Sequence, residues 1–191
     1  GFQYICGGDE AGAGCLAGPV TVCACYLPLH VDIPGINDSK KLTPKRREAL
    51  YDLLTQHPDV KYAVVHVGPD VIDRINILQA RLEGFYQAFL QLREQVPGLD
   101  LVLLDGNQVP PKLAHEVTVH AVVGGDALCV CIGAASILAK VTRDRLMVEY
   151  DRQYPGYGFA QHKGYPSPAH VQSLRTLGPT PIHRKTFKGV K

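Results

Sequence analysis

The stretch Tyr4-Ile5-Cys6-Gly7-Gly8-Asp9-Glu10-Ala11-Gly12-Ala13-Gly14-Cys15-Leu16-Ala17-Gly18-Pro19-Val20-Thr21-Val22 decides how the rest of the chain is read. Tyr4 to Asp9 predicts a short strand and Val20 to Leu27 a second one, with a glycine-rich turn between them. Gly12-Ala13-Gly14-Cys15-Leu16-Ala17 also satisfies the Gly-x-Gly-x-x-Gly/Ala spacing of a dinucleotide-binding enzyme. That reading requires the loop to open a helix whose N-terminus faces a pyrophosphate. Here Gly18-Pro19 leads into the β-branched alternation Val20-Thr21-Val22, and Asp9 and Glu10 would repel phosphates. Strand, tight loop and strand is the reading that remains.

Working outward, Thr43-Pro44 marks a helix start that continues through Arg47, Leu50, Leu53 and Leu54 until Pro58 stops it. Val60 to Val67 predicts a third strand. Asn76 opens an amphipathic helix in which Leu78, Leu82, Phe85, Phe89 and Leu92 recur at helical spacing as core. Leu101 to Leu104 is a continuous apolar run ending in Asp105-Gly106, the pattern of a strand buried on both faces. Val117 to Val123 predicts a fifth strand, ending at Gly124-Gly125-Asp126. A long helix is expected from Cys131 toward Tyr150, and another from Ser167 to Leu177 with Gly178 past its end. Five strands with helices on both sides imply an α/β or α+β sheet domain. A chain of 191 residues suits one such unit.

With 46% hydrophobic and 20% charged residues, the composition is that of a globular protein, without an apolar run long enough to span a bilayer. No signal peptide is read at the N-terminus, so an intracellular, cytoplasmic location is expected, with nucleus or organelle left open. The net charge of +2 says little, but its distribution says more. Beyond Asp151 stand Arg152, Lys163, Arg175, Arg184, Lys185, Lys188 and Lys191 with no acid among them, and Lys40, Lys41, Lys45, Arg46 and Arg47 form a second basic cluster. Both suit a polyanionic partner, and both also suit solvated faces. Cys6, Cys15, Cys23, Cys25, Cys129 and Cys131 include no Cys-x-x-Cys pair, so small buried thiols are expected rather than disulfides or a zinc site.

The acids are placed more tellingly than the bases. Asp9-Glu10 ends the first strand, Asp105 ends the central apolar one, and Asp126 lies at the mouth of the fifth. Neighbours on a strand point to opposite faces, so Glu10 is expected to join Asp9 only because the chain turns at Gly12. Four converging carboxylates suit two Mg²⁺ or Mn²⁺ ions about 3.5–4 Å apart, an arrangement that hydrolyses phosphodiesters without a nucleophilic side chain. Taken singly, each acid also suits a turn or a cap.

Beyond these residues, the chain resembles the ribonuclease HII family over nearly its whole length. The matching blocks are Gly8-Asp9-Glu10-Ala11-Gly12 with Leu16-Ala17-Gly18-Pro19-Val20, Asn37-Asp38-Ser39-Lys40-Lys41-Leu42, Asn76-Ile77-Leu78, Asp105-Gly106, Gly125-Asp126, Ala134 to Asp144, Tyr157 to Pro166, and His183-Arg184. The resemblance implies an RNase H-like fold, a five-stranded mixed sheet flanked by helices, with a helical, basic C-terminal segment of about residues 152–191 packed on it. It also implies Asp9, Glu10, Asp105 and Asp126 as the catalytic metal ligands. Asp144 is the rival for the fourth acid, yet it lies about twelve residues down a helix, roughly 18 Å along the axis. A structural partnership with nearby bases is preferred for it.

As substrate, the resemblance implies an RNA/DNA hybrid or a DNA duplex containing ribonucleotides, with the 2′-hydroxyl gripped by the backbone of Gly12, Ala13 and Gly14 and by Tyr165. Ser39, Lys40, Lys41, Ser136, Lys163 and Arg184 are the candidate phosphate contacts. The chain departs from the family pattern at Ala13, where an arginine is usual, at Cys15, where proline is, and at Gly124, where a lysine is common. Loss of positive charge beside the site makes a catalytically impaired hybrid-binding module the alternative. Protein partners and oligomeric state are not legible.

Overall fold

The computed structural model describes residues 1–36 and 41–191. Five strands, β1 (Ile5–Ala11), β2 (Val20–Tyr26), β3 (Lys61–Val67), β4 (Leu101–Asp105) and β5 (Thr118–Val122), form one mixed sheet in the order β3-β2-β1-β4-β5. β2 runs antiparallel to β1 and to β3, whereas β1, β4 and β5 are mutually parallel. The helices are α1 (Pro44–Gln56), α2 (Pro69–Ile75), α3 (Ile77–Gln95), α4 (Pro111–Ala114), α5 (Gly125–Leu128), α6 (Val130–Gln153), α7 (Phe159–His162) and α8 (Pro168–Leu177). Among the described residues no helix is long and apolar enough to cross a membrane.

The two faces of the sheet follow from the period-two pleat of β2. Val22 and Ala24 point into a core with Phe85, Phe89 and Leu92 of α3, while Cys23 and Cys25 point into another with Leu50 and Leu54 of α1 and Ala135, Leu138 and Ala139 of α6. The four most buried thiols are thus core atoms, and burial pushes those of Cys6, Cys23 and Cys25 far above the ordinary range. Gly7 explains how closely α6 can sit: a Cβ there would lie 2.3 Å from the backbone carbonyl carbon of Cys131. No residue with a side chain fits without moving the helix.

Two expectations change. Leu78 is 39% exposed, because the first turn of α3 packs through Ile77 and Ala80 against Val20 and Val67 instead. The short α2 was not anticipated. It ends at Asn76, which has φ of 72° and serves twice, closing α2 through its backbone and capping α3 through its side chain, which accepts from the Gln79 amide at 2.9 Å.

The C-terminal segment docks on the loop between β1 and β2. The Leu16 amide donates to the Gly164 carbonyl, the Gly18 amide to Ile182, and the Arg184 amide to Leu16, each at 2.8 Å. Behind this seam lie three histidines whose proton positions follow from their partners. The Thr180 amide donates to His183 Nδ1 at 2.9 Å, so His183 carries its proton on Nε2 and donates to His170 Nε2 at 2.9 Å. His170 then donates from Nδ1 to the Tyr165 carbonyl at 2.9 Å. His162 accepts from the Gly164 amide at Nδ1 and stacks on His170, the ring centroids 4.2 Å apart. Burial and the neighbouring imidazoles push the His183 pKa down to about 4.

Depressing a histidine's folded-state pKa makes the unfolded chain take up the proton first as pH falls, so stability is lost between pH 6.5 and about 4. The unfolding free energy from urea titrations is expected to fall across this window by on the order of 3 kcal/mol from His183. His183→Gln should begin less stable at pH 7 and decline less steeply; parallel curves for the two proteins would remove His183 as the cause.

Candidate active site

Parallel β1, β4 and β5 deliver their C-terminal ends to one edge of the sheet. Gly8 stands opposite Leu104 and Asp105 opposite Val122, so Asp9 and Asp105 are the next residues along neighbouring strands. After β5 the chain turns at Gly124, with φ of 67°, and α5 begins, placing Asp126 in its first turn. The Asp126 amide donates to Asp105 Oδ1 at 3.3 Å, which ties the backbone of one acid to the side chain of the other. Asp9 and Asp126 are both buried.

Burial, reinforced by Glu10, Asp105 and Asp126, pushes the Asp9 pKa up to about 9 despite the Glu10 amide donating to its Oδ1 at 2.8 Å. Glu10 is reached differently than expected. β1 continues through Ala11, and the pleat sends Glu10 to the Val22 side of the sheet, the face covered by α3. There Arg81 Nε lies 2.7 Å from Glu10 Oε1, an ion pair without hydrogen-bond alignment, while burial raises the Glu10 pKa against the lowering by Arg81.

Among the described residues no group of three or more His, Cys, Asp or Glu side chains is already gathered as a metal cage. The donors nevertheless fit a hard cation: they are carboxylate oxygens, Glu10 Oε2 is buried without a hydrogen-bond partner, and the crowding that holds Asp9 protonated is what a divalent ion relieves.

Beside Glu10 a cleft of about 190 Å³ is lined by Ala11, Arg47, Ser136, Ile137, Lys140 and Tyr165. Glu10, Ser136 and Tyr165 are thereby brought together. Tyr165 is 40% exposed and lies under the Lys140 ammonium, 5.6 Å from its ring centroid. Lys140 in turn pairs with Asp144 at 3.0 Å, the structural partnership preferred for that acid. In the adjoining loop Gly12 has φ of 88°, and Gly14 at the tip is exposed. Lys41 is exposed, Lys163 folds its ammonium back onto the Ala160 carbonyl, and Ser39 and Lys40 lie outside the described residues.

Arg184 requires a correction. It is fully buried, and its three nitrogens donate to the carbonyls of Gly18, Ala13 and Gly12 at 3.0, 2.8 and 2.6 Å. It braces the loop from within and is not placed to meet a phosphate. Arg143, a residue whose role the sequence did not disclose, does the same from α6, donating to Pro19 and Ala17 at 2.9 Å and to Lys163 at 2.6 Å. Its signal was spacing: it falls four residues from Ala139 and from Met147 on the buried stripe of α6. Arg81 was missed because a single basic residue on an amphipathic helix reads as solvated.

Comparison with known proteins shows the family. The profile described as Ribonuclease HII matches residues 6–190. The chain belongs to the ribonuclease HII family. It is 50% identical to ribonuclease HII of Geobacter sulfurreducens over 191 residues, covering all of this chain and 85% of that one. The crystal structure of ribonuclease H2 from Pyrococcus horikoshii OT3 superposes with a TM-score of 0.78 at 32% identity, covering 98% of this chain and 95% of the other. The fold alone is shared with Bst-RNase HIII, solved in complex with Mn²⁺, at 18% identity and a TM-score of 0.74 over all of this chain and 68% of that one. The sheet and its flanking helices are therefore RNase H-like, and family membership makes the chain an endoribonuclease, a hydrolase that cuts the RNA strand of RNA/DNA hybrids.

Relieving the crowded carboxylates should stabilise the metal-free protein. Asp9→Asn in excess chelator is expected to raise the calorimetric unfolding midpoint by roughly 2–4 °C, the equivalent of about 1 kcal/mol in a chain of this size. A lower midpoint would mean that Asp9 contributes more by its hydrogen bonds than it costs by its charge.

Proposed function

We propose that the enzyme cuts both continuous RNA/DNA hybrid and single ribonucleotides embedded in duplex DNA, leaving 5′-phosphate and 3′-hydroxyl ends. In this reading Asp9, Glu10, Asp105 and Asp126 hold two Mg²⁺ or Mn²⁺ ions. The observation that supports it is the convergence of the Asp9, Asp105 and Asp126 positions at one sheet edge, where burial and the neighbouring acids raise the Asp9 pKa to about 9, beside a cleft lined by Glu10 and Tyr165. When bound, divalent ions supply the positive charge that activates water and stabilises the leaving oxygen. The chain's own part is to hold, orient and select. Asp9 keeps its proton until a cation replaces it. Gly12, Ala13 and Gly14 offer backbone groups to the 2′-hydroxyl, and Tyr165, whose phenol burial keeps protonated, offers a hydrogen bond from the other side of the cleft. Ser39, Lys40, Lys41, Ser136 and Lys163 are the proposed backbone contacts to the duplex. The whole of residues 1–191 acts as one domain, working inside the cell.

The test is cleavage of matched duplexes, all-DNA, single-ribonucleotide and continuous hybrid, in each metal. Refusal of the all-DNA duplex with cutting of both others is expected, and an inert single-ribonucleotide duplex would confine the activity to hybrids. Asp126→Asn should lose most turnover on either substrate. Asp144→Asn should retain it and lose stability by roughly 0.3–0.5 kcal/mol, the usual contribution of a helical ion pair. Reversed phenotypes would exchange their roles.

Recognition of the 2′-hydroxyl is separable from phosphate grip. Tyr165→Phe should impair cleavage at a single ribonucleotide while binding of the duplex changes little. Ala13→Arg should tighten binding by about 1.5–3 kcal/mol and steepen its salt dependence, since one more phosphate is neutralised. An unchanged salt slope would show that position 13 does not reach the backbone.

A further inference from the structure

Arg81 is built into the carboxylate cluster rather than placed beside it. Its side chain is only 12% exposed, and that of Glu10 only 16%. While Nε faces Glu10 Oε1 at 2.7 Å, Nη2 donates to the Asp105 backbone carbonyl at 2.7 Å, so one guanidinium spans two strand ends that each carry a proposed ligand. The group is held from two further directions. Its Cζ lies 5.0 Å over the Phe85 ring, one turn along α3, and Gly106 leaves it room, because a Cβ there would come within 2.8 Å of Nη2. These contacts keep the guanidinium beside the acids rather than in solvent.

We propose that Arg81 is a positioning residue that acts as a resident cation of the active site, holding Glu10 in place and limiting how tightly divalent metal ions bind. The inference rests on the reading of Asp9, Glu10, Asp105 and Asp126 as the cation site. Two consequences follow from elementary electrostatics. Without metal, Arg81 offsets part of the mutual repulsion of the acids, so the empty site is tolerated. With metal, a dication must enter against a fixed positive charge a few ångströms away and must share Glu10 with it, which weakens binding. Glu10 Oε2, buried and without a hydrogen-bond partner, is the oxygen left over for the incoming ion once Oε1 faces Arg81.

The measurement is Mn²⁺ affinity of the full chain, from the electron paramagnetic resonance signal of free Mn²⁺, together with unfolding midpoints with and without the metal. Arg81→Met is expected to bind Mn²⁺ roughly tenfold more tightly. It should also melt lower than the unaltered protein in chelator and gain more from added Mn²⁺. Arg81→Lys, which keeps the charge but not the two-pronged geometry, should stay within about threefold of the original affinity. Equal affinity in all three proteins, weaker binding by Arg81→Met, or the same shift in both variants would overturn the proposal, the last by assigning the effect to shape and not to charge. Asp9→Asn separates the two levels of inference: if it binds Mn²⁺ as the unaltered protein does, the four acids are not the cation site at all. If it loses binding while Arg81→Met changes nothing, only the role of Arg81 fails. Should Arg81→Met not fold, Arg81→Gln, also neutral but polar, carries the same expectation.

Discussion

Two buried arginines that direct their donors to backbone carbonyls hold the loop between β1 and β2, and much else depends on them. Taking a guanidinium out of water costs several kcal/mol unless its donors are met. Arg143 and Arg184 meet theirs on Gly12, Ala13, Ala17, Gly18, Pro19 and Lys163. Carbonyls in a glycine-rich loop would otherwise face water in many conformations. Fastened to two rigid side chains, the loop has one shape. Because Arg143 comes from α6, which packs on β1, and Arg184 from the C-terminal segment, the same bonds tie the first and last parts of the chain to the strand that carries Asp9 and Glu10. The desolvation of Arg184, which lowers its pKa to about 10, is the cost of that arrangement.

At the sheet edge the constraint is opposite in sign. Parallel strands bring Asp9 and Asp105 side by side, and the Gly124 turn adds Asp126, so the fold concentrates acidic residues at one edge of the sheet. The raised pKa of Asp9 reflects its burial first and the neighbouring acids second. Arg81 pairs with Glu10 across the face that α3 covers. Such an edge suits the cation proposed for it, while the hydrophobic contacts of α3 and α6 on the two faces supply stability.

Much of this was legible in the residues. Alternation in Val20 to Tyr26, the apolar run before Asp105 and the glycine punctuation after it placed the strands and put the acids at their ends. The strand ends also put Asp9 and Asp105 next to one another at one edge of the sheet. Three things were not legible, each because it depends on partners distant in sequence. Arg184 sits in a basic tail and reads as exposed, yet it is buried by contacts with residues more than 160 positions away. Glu10 lies on the face opposite the expected one because β1 extends through Ala11, and only pairing with β2 shows that. Leu78 keeps helical spacing with the core residues that follow it, but the face of α3 that meets the sheet is turned slightly at its first turn.

The departure at Ala13 can now be judged against this scaffold. An arginine at position 13 would contribute charge toward a duplex, whereas the loop backbone is held from inside by the guanidinium of Arg184, which donates to the Ala13 carbonyl at 2.8 Å. Shape and charge are therefore supplied by different residues. Alanine at position 13, half-buried against the cluster of Val20, Val67, Ile72 and Ala80, brings no charge toward a duplex while leaving in place the backbone geometry proposed to meet the 2′-hydroxyl. In the proposed reading selectivity and affinity are separable: the first would rest on Tyr165 and on a loop backbone held by buried arginines, the second on the bases that the surface carries.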